Sequence, residues 1–136
     1  VVALAAGNPR ATYEVERVHG ANYQMLVFDT EATIAALKPD LGQLRHAGTN
    51  VIATAPGESA DFVSRFFAPA SGVDEDPVTG SAHCTLASFW SDELQRPRLS
   101  ARQIGPRSGA LDVEPQGDRV ILSGRAAPYL EGTIRL

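Results

Sequence analysis

In the stretch GVDEDPVTGSAHCTLASFW, residues 72–90, acids, hydroxyls, two glycines and a histidine crowd the first twelve positions, and the chain then turns almost wholly apolar. Three side chains there can do chemistry. Asp76 can give, take or orient a proton, Ser81 offers a hydroxyl, and His83 offers an imidazole. Pro77 pushes Asp76 out of the α region, so no helix starts before Val78. Thr79 and Gly80 then supply a flexible bend, followed by Ser81 as N-cap. A helix beginning there leaves its first backbone N–H groups unsatisfied and aims the positive end of its dipole at the loop. Such an end receives anions, and Gly80 lets a bound group come close to the backbone.

Three readings of these residues compete. In the first, Glu75 and Asp76 are solvated turn acids, Ser81 is an N-cap and His83 a satisfied first-turn histidine. A second makes Asp76, Ser81 and His83 a nucleophilic triad, although no G-x-S-x-G elbow accompanies them and residues of one turn rarely converge in this way. The third seats a small carboxylate substrate on the helix N-terminus, with Asp76 beside it as proton donor, acceptor or orienting group. Elsewhere, His19 and His46 have no acid or histidine at metal-ligand spacing and read as solvated. Arg65, before Phe66 and Phe67, faces water or supplies a site cation if its strand ends beside the motif. Cys84, on an apolar helix, reads as packing rather than as a nucleophile.

The elements that must position these groups follow from periodicity. TYEVERV (12–18) and NYQMLVFDT (22–30) alternate in the strand manner and form a hairpin. After Asp29 and Thr30, EATIAALKPD is helical until Pro39, and Asp40 caps a second short helix closed by Gly48. NVIATA (50–55) and FVSRFFAP (62–69) are strands joined by a turn. SAHCTLASFWSDEL (81–94), apolar around most of its circumference, predicts a helix enclosed on all sides. Four short strands follow, in ARQIG, ALDVE, RVILSG and YLEGTIRL. Many short strands around one buried helix make an α+β plan.

Composition bounds the partners. With 136 residues the chain is one domain, 1–136, and no apolar run reaches the roughly 20 residues that span a bilayer. Sixteen acids face twelve bases, with Lys38 the sole lysine, which excludes a basic stripe for nucleic acid. Cys84 is the one cysteine, which excludes an internal disulfide and thiolate-cluster metal sites and fits a reducing cytoplasm. The start, VVALAAGNPR, has neither an initiator Met nor the basic region of a secretory signal, and reads as sequence from inside a longer reading frame.

The string SRFFAPASGVDEDPVTGSAHCTLASFW, with LKPDLGQL upstream and SARQIGPRSGALDV and RVILSGRAAPYLEGTIRL downstream, resembles the second half of phenazine-biosynthesis PhzF-like isomerases, which share the diaminopimelate epimerase fold. The resemblance covers essentially the whole chain. It implies two similar halves, each a β-barrel-like sheet wrapped around a central helix, with the active site between them. It also implies proton abstraction and return next to the carboxylate of a small amino or hydroxy acid, without metal or organic cofactor. Epimerase relatives use a cysteine from each half, whereas Gly80-Ser81 stands here where the second would be. On this resemblance Asp76 and Ser81 line the substrate, amides around Thr79, Gly80 and Ser81 hold its carboxylate, and His83 supports them. The family's main acid/base is a glutamate of the first half, and nothing in residues 1–71 resembles that half's motif. The chain is therefore expected to be a C-terminal lobe, inactive or nearly so alone, that works with a matching N-terminal lobe. The alternative is a lobe that pairs with a second copy of itself as a carboxylate-binding or interaction module without turnover.

Overall fold

The computed structural model of the chain describes residues 7–18 and 21–135. Eight strands form one mixed sheet: β1 (Ala11–Val18), β2 (Ala21–Val27), β3 (Thr49–Pro56), β4 (Phe62–Ala68), β5 (Val73–Asp76), β6 (Leu99–Gln103), β7 (Gly109–Gln116) and β8 (Arg119–Gly124). Among the described residues three α-helices cover it: α1 (Glu31–Ala36), α2 (Leu41–Ala47) and α3 (Gly80–Leu94). The expected α+β plan is the one observed.

Two parallel pairings need crossovers, and each crossover puts helices on a different face of the sheet. The first, between β2 and β3, carries α1 and α2. Period-two alternation then sorts the core. Leu26, Phe28, Val51, Ala53, Ala55, Val63 and Phe67 pack with Ile34, Leu37 and Leu44 on that face. The second, between β4 and β6, carries α3. Met25, Val27, Ile52, Phe62, Phe66 and Leu99 pack there with Ala82, Leu86, Ala87 and Trp90. Trp90 stacks on Phe62 at 5.7 Å, and its indole N–H donates to Thr54 Oγ1 at 2.9 Å, which fixes the middle of α3 over β3.

One edge of β4 carries two strands end to end. β5 runs antiparallel along it from Val73, opposite Ala68, to Asp76, opposite Phe66. From the other end β6 runs parallel, with Ala101 opposite Phe62 and Gln103 opposite Ser64. The two strands therefore point at each other and stop on either side of Arg65. The start of β6 is pinned by Asp61, whose carboxylate accepts from the Ser100 amide at 2.7 Å and from Arg96 at 2.6 Å. Burial pushes the Asp61 pKa up, but the bonds from the Ser100 amide and hydroxyl and from Arg96 outweigh it and hold the group below its ordinary value.

Four local expectations differ from the structure. β5 was not expected, because an acidic four-residue strand, VDED, gains its stability from the β4 edge and not from its own propensity. The N-cap of α3 is Thr79, with Ser81 already inside the helix, since the His83 amide closes the first turn on the Thr79 carbonyl at 3.2 Å. Enclosure of α3 is one-sided: Ala82, His83, Leu86, Ala87 and Trp90 are buried, while Gly80, Cys84 and Ser88, spaced by four, form an exposed stripe. YLEGTIRL forms no strand among the described residues. β8 ends the pairing path, and a segment with no neighbour to hydrogen-bond does not become a strand.

Candidate active site

The site forms where β5 and β6 meet head to head and α3 begins. Beyond Asp76, Pro77 and Val78 turn the chain into Thr79, which is extended at φ −114° and ψ 106° and caps α3 without a side-chain bond to it. Its hydroxyl instead donates to Asp76 Oδ2 at 2.5 Å. From the end of β6, the carboxamide of Gln103 reaches the same turn: Oε1 accepts the Thr79 amide at 2.8 Å, and Nε2 donates to the Asp76 carbonyl and to Thr79 Oγ1. Asp76 is half-buried, and its Oδ1 carries no hydrogen bond among the described residues.

The amides of Gly80, Ser81 and Ala82 have no acceptor among the described residues, so the positive end of a 15-residue helix is unpaired, exposed at Gly80, half-buried at Ser81 and buried at Ala82. The Thr79 amide, expected to share in this cradle, is committed to Gln103. Gly80 is exposed at the wall of an open cleft of about 1030 Å³ that it shares with Val78, Arg102, Asp112, Leu122 and Arg125. A Cβ at Gly80 would stand 3.7 Å from Leu122 Cδ1, an ordinary contact, so the fold does not require glycine there. Asp76 opens on a separate pocket of about 60 Å³ with Glu75, Pro77, Pro106 and Arg107.

His83 is fully buried, and its Nδ1 lies 2.7 Å from the Thr79 carbonyl, which makes Nδ1 the protonated nitrogen. Nε2 is buried without a partner among the described residues, where the ring is therefore not the fully satisfied histidine of the first reading. Desolvation pulls its pKa below the ordinary value, against the smaller opposing effect of the Thr79 bond. Neither His83 nor Asp76 bonds to Ser81, whose hydroxyl is half-buried and unbonded among the described residues. A nucleophile without contact to its base is no triad, and that reading is set aside.

Arg65 is neither a free site cation nor a water-facing residue. It grips Glu75 with two bonds of 2.7 and 2.9 Å and donates to the carbonyls of Ile34 and Leu37 at the end of α1. This clamp ties β5 to β4 one residue before Asp76. Gly105 makes room for it, since a Cβ there would lie 2.7 Å from Glu75 Oε1. Cys84, expected in packing, is exposed on the open stripe of α3. His46 is exposed in the last turn of α2, and His19 lies outside the described residues. Among the described residues no cluster of His, Cys, Asp or Glu is placed to hold a metal ion. No described helix is long and apolar enough to cross a membrane.

Sequence reasoning missed Gln103 and Glu75. Gln103 acts on residues 24 and 27 positions away, so nothing local marks it. Glu75 stood next to Asp76 and drew no separate role because its partner depends on a register that only the sheet reveals.

The mixed sheet with α1 and α2 on one face and α3 on the other is a fold shared with proteins of one known family. A family model described as phenazine biosynthesis-like protein matches residues 3–132. The chain belongs to this PhzC/PhzF family. An uncharacterized isomerase of Pseudomonas aeruginosa is 50% identical over 113 residues, which is 82% of this chain and 44% of that protein. A human phenazine biosynthesis-like domain-containing protein is 49% identical over 78 residues, 57% of this chain and 27% of that protein. The crystal structure of a PhzC/PhzF protein from Clostridium difficile superposes with a TM-score of 0.82 at 34% identity, over 96% of this chain and 49% of that one. One from Enterococcus faecalis gives 0.71 at 44% identity, over 74% and 40%. The chain thus spans about half the length of the P. aeruginosa relative and of the C. difficile structure.

Proposed function

We propose that the chain is the C-terminal lobe of a two-lobed isomerase that moves a proton at the carbon next to the carboxylate of a small amino or hydroxy acid. The observation that carries this reading is the unpaired N-terminus of α3 directly after the turn that holds Asp76, a carboxylate bonded through one oxygen with the other unbonded among the described residues; Gly80 and Asp76 open on different pockets, which a bound substrate would have to bridge. The substrate's carboxylate sits on the amides of Gly80 and Ser81, with the Ser81 hydroxyl beside it. A glutamate of the partner lobe, inferred from the family resemblance, takes the Cα proton, and the electron pair of the broken C–H bond delocalises into the carboxylate, where the helix end stabilises it. Asp76 orients the substrate or shares in returning the proton, to the opposite face in an epimerisation or two carbons away in a 1,3-shift. His83 supports the turn through the Thr79 carbonyl. No metal or organic cofactor enters this scheme.

The same reading gives the lobe a partner. Val78, Ile121 and Leu122 are apolar and exposed near the cleft, Tyr129, Leu130 and Ile134 beyond it are more so, and the outer edge of β8 has no partner among the described residues. A matching N-terminal lobe would cover this surface. A second copy of the chain, binding carboxylates without turnover, is the rival occupant.

Incubation with small amino and hydroxy acids in D₂O, alone and with an N-terminal lobe, tests the proposal by label at the carbon next to the carboxylate. Without the general base, roughly 10²- to 10⁴-fold of catalysis is lost, so the chain alone should incorporate almost nothing and the pair should incorporate readily. Incorporation by the chain alone would place the base in this lobe. None in either sample would favour the binding module.

A further inference from the structure

Gln103 is buried at the end of β6 and spends its whole carboxamide on the turn that carries Asp76. The orientation of that amide follows from its neighbours. A backbone N–H can only donate, so the atom facing the Thr79 amide is Oε1, and a carbonyl can only accept, so the atom facing the Asp76 carbonyl is Nε2. Nε2 also lies 3.1 Å from Thr79 Oγ1, and a hydroxyl that accepts there has its single proton left for Asp76 Oδ2, 2.5 Å away.

We infer that Gln103 is a positioning residue: a carboxylate can only accept, and the Gln103 amide on the Thr79 hydroxyl keeps that hydroxyl's one proton fixed on Asp76 Oδ2, so that Oδ1 is the oxygen left for a bound molecule. It also removes the Thr79 amide from the anion cradle, which then begins at Gly80. The catalytic meaning rests on the proposed isomerase reading, whereas the fixing of the Thr79 hydroxyl does not. Leucine at 103 keeps the volume but leaves the Thr79 N–H and Asp76 C=O unpaired and frees the hydroxyl to rotate. Valine at 79 deletes the relay with little change of shape, and serine there preserves it.

NMR of the chain decides the structural part. The Thr79 hydroxyl proton should appear as a slowly exchanging resonance with a cross-peak to the Gln103 side-chain amide, persist in Thr79→Ser and vanish in Gln103→Leu. Absence of that cross-peak in the unmodified chain, which needs no variant to fold, overturns the inference, as does an unchanged hydroxyl resonance in Gln103→Leu. In the two-lobed protein, Gln103→Leu and Thr79→Val should each lower kcat for label exchange by roughly 10- to 10²-fold, with KM nearly constant. The double variant should be no worse than either, since both break one relay, and independent losses that multiply would overturn the inference. If the two-lobed protein exchanges no label at all, the proposed function falls while the hydroxyl resonance still decides the role of Gln103.

Discussion

Helices α1 and α2, on one face of the sheet, begin under side-chain caps, whereas α3, on the other face, does not. Thr30 Oγ1 accepts from the Thr33 amide at 3.2 Å, and Asp40 Oδ1 accepts from the Gln43 amide at 2.9 Å. At α3 the corresponding residue, Thr79, turns its hydroxyl away to Asp76. A side-chain cap contributes about 1 kcal/mol, so leaving one unmade forgoes stability at this helix. The contrast extends to the charged groups. Arg65 and Glu75 neutralise each other and satisfy the end of α1, while Asp76, the next residue along, keeps an oxygen unbonded among the described residues. One face spends its polar groups on holding the chain together, and the other holds several in reserve.

Variants on the two faces should therefore fail differently. Asp76→Asn should cost the two-lobed protein roughly 10²-fold or more in label exchange while its unfolding midpoint moves little, since it removes a titratable group without removing bulk. Normal turnover would make Asp76 a turn acid after all. Arg65→Met should do the reverse. It strands a mostly buried Glu75 and the α1 carbonyls and should lower stability by about 3 kcal/mol, read by denaturant unfolding. Gly80→Val should weaken binding of a small carboxylate roughly 10-fold, or about 1.4 kcal/mol, and Gly80→Ala, whose Cβ meets Leu122 Cδ1 at an ordinary 3.7 Å, should leave stability nearly unchanged. Unaltered affinity would remove the cradle.

The smallest effect expected is on pH dependence. Burial depresses the folded-state pKa of His83 below its ordinary value of 6.5, so the unfolded chain binds that proton first as pH falls. Its contribution to stability is complete above pH 6.5 and is lost as pH drops from there through the folded pKa. Thermal midpoints measured downward from pH 7 should fall, and His83→Gln should flatten that part of the slope. An identical slope in the variant would show that the proton is taken up elsewhere.

What the sequence disclosed divides along the same line. The α1–α2 face was legible because its signals are local: Thr30, Asp40 and Gly48 each act within one turn of their own helix. At the site, the bend at Pro77 and the helix after it were also legible, and so was the family. The cap was misassigned to Ser81 because Thr79 and Ser81 are equally good cap residues by type, and the choice lies with His83 closing the turn. β5, the Arg65–Glu75 clamp and Gln103 were illegible for one reason: each depends on two strands meeting head to head along the edge of β4, a register that no local pattern encodes. The open stripe of α3 was hidden likewise, since apolar and small residues look alike to a periodicity that does not know where the sheet ends.

Titration of the ¹⁵N-labelled chain with lactate, followed at the first amides of α1, α2 and α3, shows whether the start of α3 receives a carboxylate. Saturable shifts are expected at Gly80, Ser81 and Ala82, with the capped starts of α1 and α2 silent. Equal small shifts at all three helices, or none at Gly80 to Ala82, would contradict the cradle at α3.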